Sequence, residues 1–306
     1  MKTFQEIFEQ LRSQKKKRLI AAWGVDDHTI NAVYKAIELG IVDGTLVGNK
    51  SRIEAVCHEE GIDPGVFTIV HIEQELEAVA RAVEMVRNGE GNILMKGQCS
   101  TDKYMRAILN KEKGLLQPKA VLSHVAVLSH PNYPKLLIMS DMAVIPAPDL
   151  NQKVAIAKYL VNTAHSLGIA IPKLAFVAAT EQMLPGMPAC VDAAILSKMA
   201  DRKQIPGCIA DGPLALDVCL SPEAVAIKKL ESPVAGDVDC MLFPNIESAN
   251  VMYKCVTQLS PESKQAAIVA GASAPCVLSS RADSIDTKLN SIALAAATAT
   301  FKLPRH

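Results

Sequence analysis

The sequence is short of aromatic residues and has no surplus charge. Phe, Tyr and Trp together make up 4% of its 306 residues, with a single Trp. Surfaces that stack nucleobases depend on such rings. Lys+Arg and Asp+Glu both number 32, so the formal net charge is zero. A nucleic-acid binder carries a basic face, and none is expected here. No apolar run approaches the roughly 20 residues that span a bilayer. The N-terminus, Met1-Lys2-Thr3-Phe4-Gln5-Glu6, lacks the apolar core of a signal peptide. Neither a membrane partner nor secretion is expected, and the reading is a cytoplasmic protein. The eight cysteines (Cys57, Cys99, Cys190, Cys208, Cys219, Cys240, Cys255 and Cys276) form no C-x-x-C pair. A zinc ribbon or ferredoxin-type cluster therefore has no support, and the thiols read as reduced. There is no G-x-S-x-G elbow and no G-x-G-x-x-G. Trp23-Gly24-Val25-Asp26-Asp27 does not match the dinucleotide fingerprint. Internal repeats and low-complexity linkers are also lacking.

What is present is core material. Hydrophobic residues make up 49% and charged residues 21%, with a mean hydropathy of +0.18 drawn from Ala, Val, Ile and Leu. That is the composition of buried sheets covered by helices. Length favours two domains. Short β-branched runs at 18–23, 43–48, 66–72, 92–96, 135–145, 173–179, 207–211, 238–243, 266–270 and 275–279 predict strands. Helical patterns fall at 29–40, 51–60, 73–88, 101–110, 150–167, 189–202, 221–230, 247–259 and 284–300. Such alternation is the mark of parallel α/β layers. In the clearest helix, 150–167, Leu150, Val154, Ala157, Val161 and Ala164 share a face, Asp149 is placed to cap it and Gly168 to end it. The stiff Pro146-Ala147-Pro148 before it marks a domain crossing, and Gly271-Ala272-Ser273 a second. The expected division is 1–148 with 270–306, and 149–269.

Ligands of open α/β sheets bind beyond the carboxyl ends of strands. Four such ends carry polar groups. Lys96-Gly97-Gln98-Cys99-Ser100-Thr101 joins a strand to a helix. Free N–H groups at a helix start, with a lysine charge, suit an anion. Ser279-Ser280-Arg281-Ala282-Asp283-Ser284-Ile285-Asp286 occupies a second strand-to-helix junction. Arginine pairs with phosphate through two parallel hydrogen bonds, and Asp283 or Asp286 is a candidate general base. Equally, Asp283 or Ser284 can cap the last helix, with Asp286 in its first turn. Asp211-Gly212 and the run from Phe243 to Asn250 make up the other two. Asp237 and Asp239 were weighed for a metal, but no third acid stands at helical spacing, so no metal is expected. Cys99, near a helix start, is either a nucleophile with His124 or His130 as base, or a structural thiol; the structural reading is favoured.

One ordered set of segments joins these pieces: ILMKG (93–97) with Thr101 and Arg106-Ala107-Ile108-Leu109, SHVAVL (123–128), SDMAVIPAPDL (140–150), MPACVDAAILSKMADRKQIPGC (187–208), DGPLALD (211–217), SPVAGDVD (232–239), FPNIESANVMYK (243–254) and VLSSRADS (277–284). Together they closely resemble the phosphate acetyltransferase/butyryltransferase family, nearest its butyryl branch. The resemblance implies a two-domain, three-layer α/β/α fold with largely parallel sheets and an interdomain cleft, like that of the isocitrate/isopropylmalate dehydrogenases. It implies reversible transfer of a butyryl or similar short-chain acyl group between coenzyme A and inorganic phosphate. Coenzyme A is then a substrate, no cofactor or metal is needed, and the chain forms a homo-oligomer. Ser280 and Arg281 are implied to bind phosphate and assist the thiol, with Asp283 or Asp286 as base; Thr287 stands where the acetyl branch has its acid. Thr257-Gln258 and Ser123-His124 replace further arginines of that branch, which leaves more of the phosphate binding to Arg281 and Lys96. The substrate-binding candidates are Lys96, Gly97, Ser100, Thr101, Asp211, Asn250 and Gly271. Two other readings share the sequence features: a metal- and nicotinamide-dependent β-decarboxylating dehydrogenase, and a non-catalytic binder of acyl-CoA or organic anions.

Overall fold

The computed structural model describes residues 3–278 and 283–300. Two compact units divide the chain, one made of Phe4–Leu122 with Ala266–His306 and the other of Ser123–Gln265. The first stretch runs α1 (Phe4–Arg12), β1 (Lys17–Ala22), α2 (Asp27–Glu38), β2 (Val42–Gly48), α3 (Lys50–Glu60), β3 (Thr68–His71), α4 (Glu75–Arg87), β4 (Ile93–Lys96) and α5 (Thr101–Leu109). The central unit follows with β5 (Ser123–Ser129), β6 (Leu137–Ser140), α6 (Leu150–Ser166), β7 (Lys173–Val177), α7 (Pro188–Asp201), β8 (Ile209–Leu214), α8 (Leu216–Leu220), α9 (Pro222–Lys228), β9 (Cys240–Leu242) and α10 (Ile246–Leu259). The chain then adds β10 (Lys264–Ala270), β11 (Cys276–Val277) and α11 (Ile285–Thr298).

Both units are layered α/β structures. In the first, the strands are ordered β3-β2-β1-β4-β11-β10, parallel except for the β10–β11 pair. In the second, the order is β5-β6-β9-β7-β8, parallel except for the β5–β6 pair. The strands are buried on both faces: Leu19, Ala21, Leu46, Leu94, Met95, Ile138, Met139, Leu174 and Met241 are all removed from solvent. Continuous apolar strands of this kind need helices on both sides. Helix α6 starts as its sequence predicts. Asp149 accepts from Gln152 N at 2.8 Å, and Gln152 Oε1 accepts from Asp149 N at 2.8 Å, which completes a capping box. Gly168, at φ +80°, follows its end.

The structure departs from the sequence reading in several places, among them two helices, α1 and α8, that were not expected. Segment 123–129 is a strand, although its polar opening residues, Ser123 and His124, hid it; both are buried. The run 135–145 is a strand only over Leu137–Ser140. The unit boundaries fall at Leu122/Ser123 and Gln265/Ala266 instead of near 148 and 270. The first shift has a direct cause. β5 pairs with β6 and β6 with β9, so these strands belong to the central sheet.

Asp141 explains why the strand stops at Ser140. Its buried carboxylate accepts from Ala143 N (2.8 Å), Val144 N (2.9 Å) and Ile145 N (3.1 Å), and from Ser123 Oγ at 3.1 Å. Four donors on one carboxylate fold the chain into a tight turn. Asn250 Nδ2 then fastens α10 to this turn by donating to Met142 O at 2.9 Å. Removing the carboxylate leaves three half-buried N–H groups and the buried Ser123 hydroxyl without their acceptor, and a buried donor left unpaired costs about 1–3 kcal/mol. Asp141→Ala should therefore lower the stability of the chain by about 3 kcal/mol or more in urea denaturation, and Asp141→Asn by less. Equal midpoints for Asp141→Ala and wild type would contradict this account.

Candidate active site

The polar strand ends of the first unit converge because β1, β4 and β11 are parallel neighbours. Ala22 lies opposite Lys96, and Val277 opposite Met95, so the three strands end side by side. The pairing of β1 with β4 continues past the strands, with Gly97 N donating to Ala22 O at 2.9 Å and Gln98 N to Trp23 O at 3.0 Å. A Cβ at Gly97 would lie 2.2 Å from Trp23 O, so only glycine allows this approach. Tyr104, fully buried on α5, shares its hydroxyl between Leu94 O and Val277 O, each at 3.2 Å. It binds α5 to the ends of both β4 and β11.

The turn after β4 carries four of the expected residues. Lys96 is 3% exposed, and its Nζ donates to Gly97 O (3.1 Å) and Cys99 O (2.9 Å). The ammonium thus clamps the turn from inside. Ser100 caps α5 by accepting from Lys103 N at 3.3 Å, and Thr101 is the exposed first residue of the helix. Cys99 is buried, its thiol 3.7 Å from Ala22 O. Burial pushes the Cys99 thiol up to about 11, against the pull of the Lys96 charge. At neutral pH only ~10⁻⁴ of such a thiol is ionised, which removes it as a nucleophile.

Ser280 and Arg281 lie outside the described residues. The residues that follow are in view. Ser284 caps α11, accepting from Thr287 N at 3.1 Å, which settles the capping role in its favour over Asp283. Asp286 sits in the first turn with its side chain 82% exposed, 3.7 Å from Lys35 Nζ. Asp283 meets the first turn of α2: its carbonyl accepts from His28 Nδ1 at 3.1 Å. One turn into α11, Lys288 is 3% exposed. Burial pulls its ammonium below the usual lysine range, while Asp26, Asp283 and Asp27 push it back up. Asp26 caps α2 through Oδ1, and its buried Oδ2 has no hydrogen-bond partner among the described residues, nor has the buried Thr29 Oγ1. Asp26, His28 and Lys288 were not singled out from sequence. The signal was available, since Trp23–His28 is also a strand end, but only its mismatch to a dinucleotide motif was read.

A family model described as phosphate acetyl/butaryl transferase matches residues 2–80 and 73–296. The chain belongs to that family. It is 44% identical over 302 residues to a phosphate butyryltransferase of Clostridium acetobutylicum, covering 99% of this chain and 100% of the relative. It is 41% identical to a phosphate acetyltransferase of Thermotoga maritima, covering 95% and 98%. A crystal structure of a branched-chain phosphotransacylase from Enterococcus faecalis V583 superposes with a TM-score of 0.81 at 28% identity, covering 92% of this chain and 98% of that one. Phosphate acetyl/butaryl transferases are acyltransferases.

The remaining expected residues stand elsewhere. Gly271 follows β10 at φ +92°, a left-handed turn in the first unit. Asp211 and Asn250 belong to the central unit. Asp211 lies inside β8, its Oδ1 accepting from Gly212 N at 2.8 Å, and Asn250 serves the Asp141 turn. Asp237 and Asp239, the pair weighed for a metal, are bound by lysines: Lys135 Nζ lies 2.8 Å from a carboxylate oxygen of each, and Lys173 Nζ 3.0 Å from Asp237. Among the described residues, no group of three or more His, Cys, Asp and Glu gathers in metal-holding geometry.

The raised Cys99 pKa has a sign that can be checked. The folded state holds this proton more tightly than the unfolded chain, so the thiol's contribution to stability is complete below the unfolded pKa near 9. It is lost as pH rises through about 11. A rise from 9.0 to about 11 corresponds to about 3 kcal/mol. Urea midpoints of Cys99→Ala should therefore fall less steeply than those of wild type between pH 9 and 11. Parallel curves would show that this thiol is not held protonated by the fold.

Proposed function

We propose that the protein transfers a short acyl chain, butyryl or one close to it, between coenzyme A and inorganic phosphate at the ends of β1, β4 and β11. The observation that carries the site assignment is the register of β11 with β4. It ends β11, at Val277, beside β4 and its clamped turn, and Ser280 and Arg281 come shortly afterwards in the sequence. Family membership and near full-length similarity to a phosphate butyryltransferase support the reaction itself.

The chemistry follows from the charges. A free thiol with a pKa of about 8.5 is only a few per cent ionised at pH 7. A carboxylate in reach of the coenzyme A sulfur takes its proton as the sulfur attacks the carbonyl carbon of the acyl phosphate. The C–S bond forms, the C–O bond to phosphate breaks, and the proton passes to the departing phosphate. In the reverse direction phosphate attacks the thioester. Asp283 is the better base of the two acids considered. Asp286 is solvated and paired with Lys35, whereas Asp283 shares its surroundings with Lys288. His28 fixes the Asp283 backbone. Arg281 and Ser280 hold the phosphate. Lys96 acts indirectly, by shaping the turn that presents Ser100 and Thr101. The reaction needs no cofactor beyond its two substrates. Its free thiols suit a reducing cytoplasm. Its two α/β units favour grouping the fold with the isocitrate/isopropylmalate dehydrogenases.

Phosphate-dependent release of thiol from butyryl-CoA measures the activity directly, and it should persist in EDTA. Arg281→Ala should reduce kcat/KM by at least 10²–10³-fold, the usual value of one donor to a developing oxyanion. Asp283→Asn should cost 10²-fold or more, and Asp286→Asn less than about threefold. Near wild-type turnover in Arg281→Ala would refute the phosphate assignment, and equal mild losses in both aspartate variants would refute the base. A parallel panel of acetyl-, propionyl-, butyryl- and isobutyryl-CoA sets the chain length.

A further inference from the structure

The strand order of the first unit reverses between β1 and β4. From β1 the chain steps outward to β2 and then β3, and returns to place β4 on the other side of β1. In open α/β sheets the crevice outside the carboxyl ends at such a reversal is where nucleotides lie. Here that crevice is a cavity of about 340 Å³, lined by Trp23, Arg52, Glu75, Gln98, Ser100 and Lys103. Small-molecule sites occupy roughly 300–1,000 Å³. The cavity is therefore adequate for one nucleotide-sized group.

The lining is built for a flat anion. Trp23 is held at φ +56°, a conformation that costs a bulky side chain energy and is kept only where the surroundings enforce it. One edge of its indole rests near Gly48, where an added Cβ would come within 3.4 Å of Cε3. Over the ring lies the Arg52 guanidinium, 5.4 Å from the centroid. Arg52 Nη2 donates to Gln98 Oε1 at 2.9 Å, which fixes the plane. No carboxylate pairs with Arg52 among the described residues, whereas Lys103 is paired with Glu75 at 2.7 Å. The crevice thus carries one net positive charge on an orientated planar cation, beside the start of α5.

We propose that this crevice binds a phosphorylated adenosine group, with the base stacked on the Arg52–Trp23 pair and the phosphate drawn by Arg52 and Lys103. Two sources carry that group: the nucleotide end of coenzyme A, in which case the inference rests on the acyl-transfer reading, and a free adenine nucleotide.

Trp23 is the single tryptophan, so intrinsic fluorescence reports on the crevice alone. Adenosine 3′,5′-bisphosphate should change it saturably, and calorimetry should give the same Kd. Arg52→Ala, at an exposed position, should weaken binding at least tenfold and Lys103→Gln several-fold. No saturable change, an equal response to inorganic phosphate alone, or an unchanged Kd in Arg52→Ala would overturn the proposal. Kinetics separate the sources. A tenfold rise in KM for butyryl-CoA in Arg52→Ala, with kcat and the KM for phosphate unchanged, assigns the crevice to coenzyme A. Weakened bisphosphate binding with an unchanged KM assigns it to a free nucleotide. A wild-type protein that releases no thiol from butyryl-CoA would sink the acyl-transfer reading, while the fluorescence and calorimetry would still decide the crevice.

Discussion

The close passage of two backbones at Gly97 governs the rest of the first unit. Strand pairing does not stop at Ala22 and Lys96 but runs on through Gly97 and Gln98 against Ala22 and Trp23. With a side chain at 97 the two segments would separate, because the obstructing atom is a carbonyl oxygen with no freedom to move. From this one approach follow the burial of Cys99, the inward turn of Lys96, the start of α5 at Ser100 and the position of the Trp23 ring. Site geometry here depends on backbone contact, not on side-chain choice, and side chains are then fitted around it.

Charge is handled locally in the same unit. The chain as a whole is neutral, so it has no long-range field to draw anionic substrates. Its cations at the strand ends are each committed differently. Lys96 is bound to carbonyls, Lys288 is buried near three aspartates, and Arg52 is laid over an aromatic ring. Recognition of phosphate or coenzyme A in such a setting depends on short contacts and desolvation. It should be only weakly sensitive to salt beyond the Debye length of about 10 Å at 0.1 M.

Much of this was legible in the sequence where one local rule dominates. Helix α6 follows from its apolar spacing, its Asp149 cap and Gly168; the turn at Lys96-Gly97 follows from its composition. Strand β5 was hidden because it opens on the buried Ser123 and His124, and the Ser123 hydroxyl finds its partners on Ser140 and Asp141, 17 and 18 positions on. Short-range periodicity carries no record of such partners. Lys288 was missed for a similar reason. A lysine on a helix normally reads as solvated, and only tertiary packing reveals that this one is buried beside Asp26 and Asp283. The cations beside Asp237 and Asp239 are lysine side chains, Lys135 and Lys173, which no local pattern in the sequence announces.

The Tyr104 hydroxyl touches a carbonyl 173 positions further along the chain. The edge of β4 that β11 covers is therefore left open until Val277 has been made. The strands of the central sheet, β5 to β9, all lie within 123–242 and are complete before then. Domains fold as units during synthesis. For this chain the second unit to begin is the first that can finish, and the unit that holds the candidate site closes last, when α11 arrives.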